Sequence, residues 1–283
     1  MPPRILVTND DGINGGGLHA LARAMAALGE VVVVAPDAEY SGASAALGPL
    51  HLIRPEVHET EVDALAGVRG VTATWAVSGP PALCVYFARL GAFGEGDFDL
   101  VAAGINPGAN VGRSVQHSGT VGAAVTALGG GVSAVAVSQD AAGSVEGQAD
   151  AANPPGQMWD SAAAVAQVVA RSLLEARPNP AVAINVNVPN LPLDEVKGWQ
   201  RTTIAGPPRR GVAGATLVPV EGAAGTYRVR MRWERPGDLP TDTDVGAVAA
   251  GLVSVSVLTG MIAADPSAPL PAGAALDELV GPA

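Results

Sequence analysis

A chain of 283 residues with 48% hydrophobic but only 4% aromatic residues can bury a sizeable core, provided that core is built from Ala, Val and Leu. With 16 Lys+Arg against 27 Asp+Glu the net charge is −11, which argues against a nonspecific nucleic-acid or anionic-membrane surface. A small anionic substrate is not excluded, because a bound metal inverts the local field.

The first half of the chain alternates strand and helix. Ile5–Val7 is a short apolar strand ending at Thr8-Asn9-Asp10-Asp11-Gly12, and Leu18–Leu28 has helical spacing up to Gly29. Val31–Ala35 is a continuous β-branched run, as expected of a parallel strand covered on both faces. A helix over Pro81–Leu90, a strand over Asp99–Ala102, a helix over Thr120–Leu128 stopped by three glycines, and a strand over Val132–Val137 follow. Residues 141–156 read as a surface loop, and a helix over Trp159–Glu175 leads to a strand through Ile184–Val188. Repeated βα units imply a parallel sheet with right-handed crossovers.

Beyond that point the pattern changes. Thr226–Trp233 and Leu252–Leu258 alternate with period two, which suggests an antiparallel hairpin or arm. The expected architecture is an α/β, Rossmann-like, three-layer parallel-sheet core over 1–195, a C-terminal β-rich arm and return strand over 196–262, and a flexible tail over 263–283. Cys84 is the only cysteine, which removes disulfides and thiolate metal sites and fits a reducing compartment. No basic apolar leader precedes Arg4 and no apolar run is long enough to span a membrane, so a soluble, cytoplasmic protein is expected.

Chemistry concentrates in four segments. Asp10 and Asp11 are adjacent carboxylates at a strand's carboxyl end, where ligands bind in open α/β sheets. Such a pair is costly to bury without a counter-charge, and a hard divalent cation is the usual one. The second segment, Ala35-Pro36-Asp37-Ala38-Glu39-Tyr40-Ser41-Gly42-Ala43-Ser44, supplies hydroxyls after the next strand. The third, Gly104-Ile105-Asn106-Pro107-Gly108-Ala109-Asn110-Val111-Gly112, alternates Asn with Gly and can present amide oxygens while the backbone approaches closely. The fourth, His117-Ser118-Gly119-Thr120-Val121-Gly122, enters a helix and offers N–H groups, hydroxyls and the helix dipole to an anion. All four fall at strand-to-helix turns and so converge on one sheet edge. Metal-assisted hydrolysis of a phosphate ester is the leading chemistry.

These motifs, V-T-N-D-D-G-I, A-P-D-x-x-x-S-G-x-S, G-I-N-x-G-x-N-x-G and S-G-T-V-G-A-A in this order, resemble those of the SurE (survival protein E) family from about Arg4 to Asn190. The resemblance includes Asn185-Val186-Asn187-Val188-Pro189, with a fainter echo at Thr241-Asp242 and Gly251–Leu258. It implies a 5′-nucleotidase, a phosphoric monoester hydrolase acting on nucleoside 5′- and 3′-monophosphates with some activity on short polyphosphate. It further implies one divalent ion, Mg²⁺ or Mn²⁺, on Asp10, Asp11, Ser41 and Asn106, with Asp10 and Asp11 catalytic. Ser118, Gly119 and Thr120 would hold phosphate, with Asn9, Gly42 and Asn110 nearby, and Asp10 would orient or deprotonate the attacking water. A homodimer or homotetramer formed through the C-terminal part is also implied.

The chain departs from the family pattern at Gly79-Pro80-Pro81-Ala82-Leu83-Cys84-Val85, at Gly48, at Ser114 and at His117. His117 could donate a proton to the leaving group, although a surface or structural role is the plainer one.

One rival reading is a Rossmann-type dinucleotide-binding protein or oxidoreductase. Gly15-x-Gly17-x-x-Ala20 opens a helix, and Asp37 ends the next strand. Against it, seven residues, Thr8–Asn14, separate the first strand from Gly15, and two carboxylates there would repel a pyrophosphate.

Overall fold

A computed structural model describes residues 2–141, 152–205, 211–234 and 239–260. The alternation read from the sequence builds one nine-stranded sheet. Six parallel strands form its centre: β1 (Arg4–Thr8), β2 (Glu30–Pro36), β4 (Val71–Val77), β5 (Leu100–Pro107), β6 (Ala134–Gln139) and β7 (Ala183–Val188). Counting β3 (Val57–Glu59), β8 (Trp199–Arg201) and β11 (Val253–Leu258), the order is β3-β4-β2-β1-β5-β6-β7-β11-β8. β3 and β11 run antiparallel to β4 and β7.

The period of two along each strand sorts side chains to two apolar layers. Ile5, Val7, Val31, Val33 and Ala35 face a layer containing Leu18, Leu21 and Met25 of helix α1 (Gly16–Ala26) and Ala162, Ala166 and Ala170 of α4 (Trp159–Ala176). Leu6, Val32 and Val34 face the other layer, with Cys84, Val85 and Ala88 of α2 (Pro81–Arg89) and Val121, Ala123 and Ala124 of α3 (Gly119–Gly129). The Ala-rich helices suit this arrangement, since small side chains let a helix lie close to a Val-rich sheet.

The C-terminal arm and return strand take definite partners. Leu252–Leu258 supplies the return strand, β11, which lies antiparallel beside β7 in the main sheet. The true partner of β10 (Tyr227–Glu234) is β9 (Gly211–Pro219), and these two make a separate antiparallel ribbon. Strand β4 gives a weaker sequence signal, because V-T-A-T-W-A-V is interrupted by two threonines and sits near the sheet's edge. Most of the 141–156 loop, residues 142–151, and the tail from 261 lie outside the described residues.

Candidate active site

The site is built at the carboxyl edge of β1. Gly12, at φ 97°, turns the chain back after the acidic pair, a conformation a β-carbon disfavours. The Ile13 N–H then donates to the Pro36 carbonyl at 2.8 Å, which ties the turn to β2. The Asn9 amide donates to the Gly12 carbonyl at 3.0 Å from inside this turn, and its own carbonyl oxygen is buried without a hydrogen-bond partner.

Asp10 is 2% exposed and is held by the start of α3. Its Oδ2 accepts from the Gly119 N–H at 3.0 Å and its Oδ1 from the Thr120 hydroxyl at 2.5 Å. Ser118 caps the helix conventionally, its hydroxyl accepting from the Val121 N–H at 3.1 Å. The donors expected to hold phosphate are thus engaged by Asp10 and by the cap. The anion seated at this helix start is a side chain of the protein itself, and Gly119 leaves the room for it: a β-carbon there would lie 2.7 Å from Asp10.

The second segment reaches the same place through its backbone. The Tyr40 N–H donates to the Asp10 carbonyl at 2.7 Å, Ser44 N–H to the His117 carbonyl at 3.2 Å, and the Ser44 hydroxyl to the Gln116 carbonyl at 2.8 Å. The exposed Ser41-Gly42 tip is therefore pinned between β1 and the entry to α3. Gly122 accommodates the loop, since a β-carbon there would meet the Ser44 carbonyl at 2.1 Å.

Asn106 lies at the end of β5, next to β1, where the pairing with β6 is irregular between Ala103 and Asn106. It is half-buried, and its amide nitrogen donates to the Gly108 carbonyl at 2.6 Å. Asn110 is 8% exposed, and its amide donates to the Ser138 hydroxyl at 2.9 Å, so this side chain serves the interior. His117 is exposed.

Electrostatics single out the acidic pair. Burial raises the Asp10 carboxyl above the usual range, against the hydrogen bonds from Thr120 and Gly119 that lower it. Burial, then the charges of Asp10 and Glu39, pushes Asp11 well above that range. Neither carboxylate has an ion-pair partner among the described residues, whose salt bridges join Arg4 to Glu30 and Glu56 to His58. No group of three or more His, Cys, Asp or Glu side chains suited to a metal occurs among them either. Two uncompensated carboxylates, with a hydroxyl and an amide oxygen at neighbouring strand ends, are all hard oxygen donors, the type that would hold a hard divalent cation rather than a thiophilic ion.

Two contributors escaped the sequence reading. Glu39 adds its field to Asp11, and only its place two residues before Ser41 could have flagged it. Asp244, fully buried in α5 (Asp244–Ala249), accepts from the Gly112 N–H at 2.7 Å, the Ala205 N–H at 2.9 Å and its neighbour Val245 at 2.8 Å. It fastens the Asn/Gly loop to the C-terminal region. The buried acid-hydroxyl pair is Thr243-Asp244, two residues past the echo noted at Thr241-Asp242, with Thr243 capping α5.

The same geometry disposes of the dinucleotide fingerprint. A β-carbon on Gly17 would lie 2.0 Å from the Ile105 carbonyl, and one on Gly15 2.8 Å from the Asn9 amide. Both glycines serve close packing of α1 on β5 and on the acidic turn. The Gly16 N–H at the helix start is taken by the Asn153 side chain at 2.5 Å.

A family model described as survival protein SurE matches residues 5–208. The chain belongs to the SurE family. Two curated SurE proteins named 5′-nucleotidase SurE, from Haemophilus influenzae strains PittGG and Rd, are each 34% identical over 257 residues, covering 89% of this chain and 90% of the relative. The crystal structure of the SurE protein from Aquifex aeolicus superposes with a TM-score of 0.73 at 27% identity, covering 98% of this chain and 99% of that one. The SurE match spans β1 to β8, and so contains all four segments that meet at the acidic turn.

Proposed function

We propose that this protein is a divalent-metal-dependent 5′-nucleotidase, a phosphatase that hydrolyses nucleoside 5′- and 3′-monophosphates to nucleoside and phosphate, with short polyphosphate as a lesser substrate. The observation that carries the reading is the uncompensated Asp10–Asp11 pair, with Asp10 buried and clamped by α3 and Asp11 half-buried beside it, in a chain of the SurE family. One ion, Mg²⁺ or Mn²⁺, would be held by Asp10, Asp11, Ser41 and Asn106. When bound, it polarises a phosphoryl oxygen and lowers the pKa of water.

The residues themselves divide the remaining work. Thr120 and the Gly119 N–H fix the plane of Asp10, which orients the attacking water. Ser41 and Gly42, at the exposed tip, face incoming phosphate, and the Asn9 carbonyl oxygen offers an acceptor inside the turn. Ser118 sets the helix start on which the clamp depends.

The subunit pairs with at least one other copy, as homodimer or homotetramer, through the β9–β10 ribbon. Leu217 and Val229 are directly opposite there, and Leu217, Tyr227, Val229 and Met231 are 66, 54, 62 and 51% exposed. An exposed apolar set on a two-stranded ribbon is a surface that association would cover. A cytoplasmic location goes with this reading, and among the described residues no helix is long and apolar enough to cross a membrane.

The deciding experiment measures phosphate release from a panel of nucleoside 5′- and 3′-monophosphates with Mg²⁺, Mn²⁺ or EDTA. Metal-dependent release is expected. Absence of release with every metal rejects the nucleotidase reading.

A further inference from the structure

The strands that carry the site also carry an unusual polar row. Asn106 of β5 is in register with Ser138 of β6, Ser138 with Asn187 of β7, and Asn187 with Ser254 of β11. Ser138, Asn187 and Ser254 are each fully buried, as is Asn185 two residues before Asn187. Central strands of a parallel sheet are ordinarily filled with apolar side chains. A buried polar atom left unmatched costs about 1–3 kcal/mol, and the Asn185 and Asn187 side-chain oxygens are buried with no hydrogen-bond partner, so each amide is held through its nitrogen alone.

What engages these two amide nitrogens is a single atom. The main-chain carbonyl oxygen of Asn110 accepts from Asn185 Nδ2 at 2.9 Å and from Asn187 Nδ2 at 3.1 Å, while the Asn110 side chain donates to Ser138 at 2.9 Å. The loop that follows Asn106 is thereby tied at one residue to three side chains from β6 and β7. Gly112, two residues on, is tied by Asp244. Beyond Asn187 and Asn185, in register, Ser254 and Ser256 share hydrogen bonds of 2.8 Å with the Thr202 hydroxyl, so the polar layer runs on to the root of the C-terminal region.

We propose that Asn185 and Asn187 are positioning residues for the metal site. Their two amides hold the Asn110 carbonyl, which fixes the 108–112 loop and with it the direction in which Asn106 presents its oxygen. The inference rests on the nucleotidase reading above. It assigns a purpose to two buried asparagines whose hydrogen bonds go to the Asn110 carbonyl.

The test pairs direct Mn²⁺ binding, by calorimetry, with hydrogen exchange over residues 106–112. Asn187→Leu keeps the branched shape and removes the donor, and Asn187→Ala leaves space for water should the larger apolar group not fold. Val186→Ala, on the same strand but facing the opposite apolar layer, is the control for plain destabilisation. Either Asn187 variant should weaken Mn²⁺ binding about tenfold, the scale of one lost hydrogen bond, and should lose exchange protection in 106–112. Val186→Ala should lower the melting temperature and change neither reading. Unchanged Mn²⁺ affinity or unchanged protection in a folded Asn187 variant overturns the proposal. Wild-type protein that binds no Mn²⁺ rejects the metal reading and the purpose assigned here, while the exchange data still decide whether the asparagines anchor the loop.

Discussion

The Thr120 hydroxyl donates to Asp10 Oδ1 at 2.5 Å, joining two residues 110 positions apart in the chain. The contact ties the first strand's acidic turn to the first turn of α3. It also gives the helix start its anion from within the protein. Because hydrogen bonds to a charged group contribute about 1.5–3 kcal/mol, Thr120→Val is expected to lower kcat/KM roughly 10- to 100-fold. Thr120→Ser, which keeps the hydroxyl, should recover most of that loss. Steady-state kinetics with saturating Mn²⁺ check both, and a Val variant as active as wild type would disconnect the clamp from turnover.

Asp11→Asn should have opposite effects on activity and on metal-free stability. Removing the half-buried, unpaired Asp11 charge relieves its desolvation and its repulsion with Asp10 and Glu39, so the variant in EDTA should melt at a higher temperature than wild type. The same change should abolish metal-dependent phosphate release and the rise in melting temperature expected of wild type with Mn²⁺. Asp10→Asn should also abolish turnover. Thermal unfolding with and without Mn²⁺ measures the two melting effects side by side, and phosphate release measures the loss of turnover.

The pH dependence follows from the raised carboxyl pKa values of Asp10 and Asp11. In the unfolded chain both titrate near about 3.9, whereas the folded protein holds their protons to higher pH. Their contribution to metal-free stability is complete below the unfolded value and is lost as pH rises through the folded values. Half-buried His19 works in the other sense: burial lowers its pKa, so its contribution is present at higher pH and lost on acidification. Asp11→Asn separates the two, because only the carboxylate component should shrink. In EDTA the wild-type melting temperature should therefore fall relative to the variant as pH rises from about 4. Saturating Mn²⁺ should remove that fall, at 100 times its Kd contributing about 2.7 kcal/mol.

Gly17→Ala should destabilise the fold without any dinucleotide being involved. The added carbon would lie 2.0 Å from the Ile105 carbonyl, so α1 must move off β5. Overpacking of this kind costs about 1–3 kcal/mol, readable as a lower urea midpoint. Stability equal to wild type would mean that the helix and strand are not as close as described.

Val229→Asp places a charge in the apolar face of the β9–β10 ribbon, opposite Leu217. The expected outcome is a smaller assembly by light scattering with the subunit still folded. An unchanged mass would move the subunit contact elsewhere.

Much of this protein was determined by its sequence alone. The β-branched run at Val31–Ala35 could only be a strand buried on both faces, and the helix spacing at Leu18–Leu28 and Trp159–Glu175 set the layers. The place of Asp10, Asp11, Ser41 and Asn106 at strand ends followed from the same local periodicities, because turns after parallel strands all open on one edge. The tertiary structure decided what those residues touch. Whether the donors at Ser118–Thr120 meet a ligand or Asp10, whether Leu252–Leu258 joins an arm or returns to β7, and whether Asn185, Asn187 and Asp244 are buried at all depend on contacts between distant segments. Period and propensity act over a few residues. Register between strands and the partner of a buried polar atom are fixed only when the whole sheet closes, and those partners turned a row of hydrophilic letters into the frame of the site.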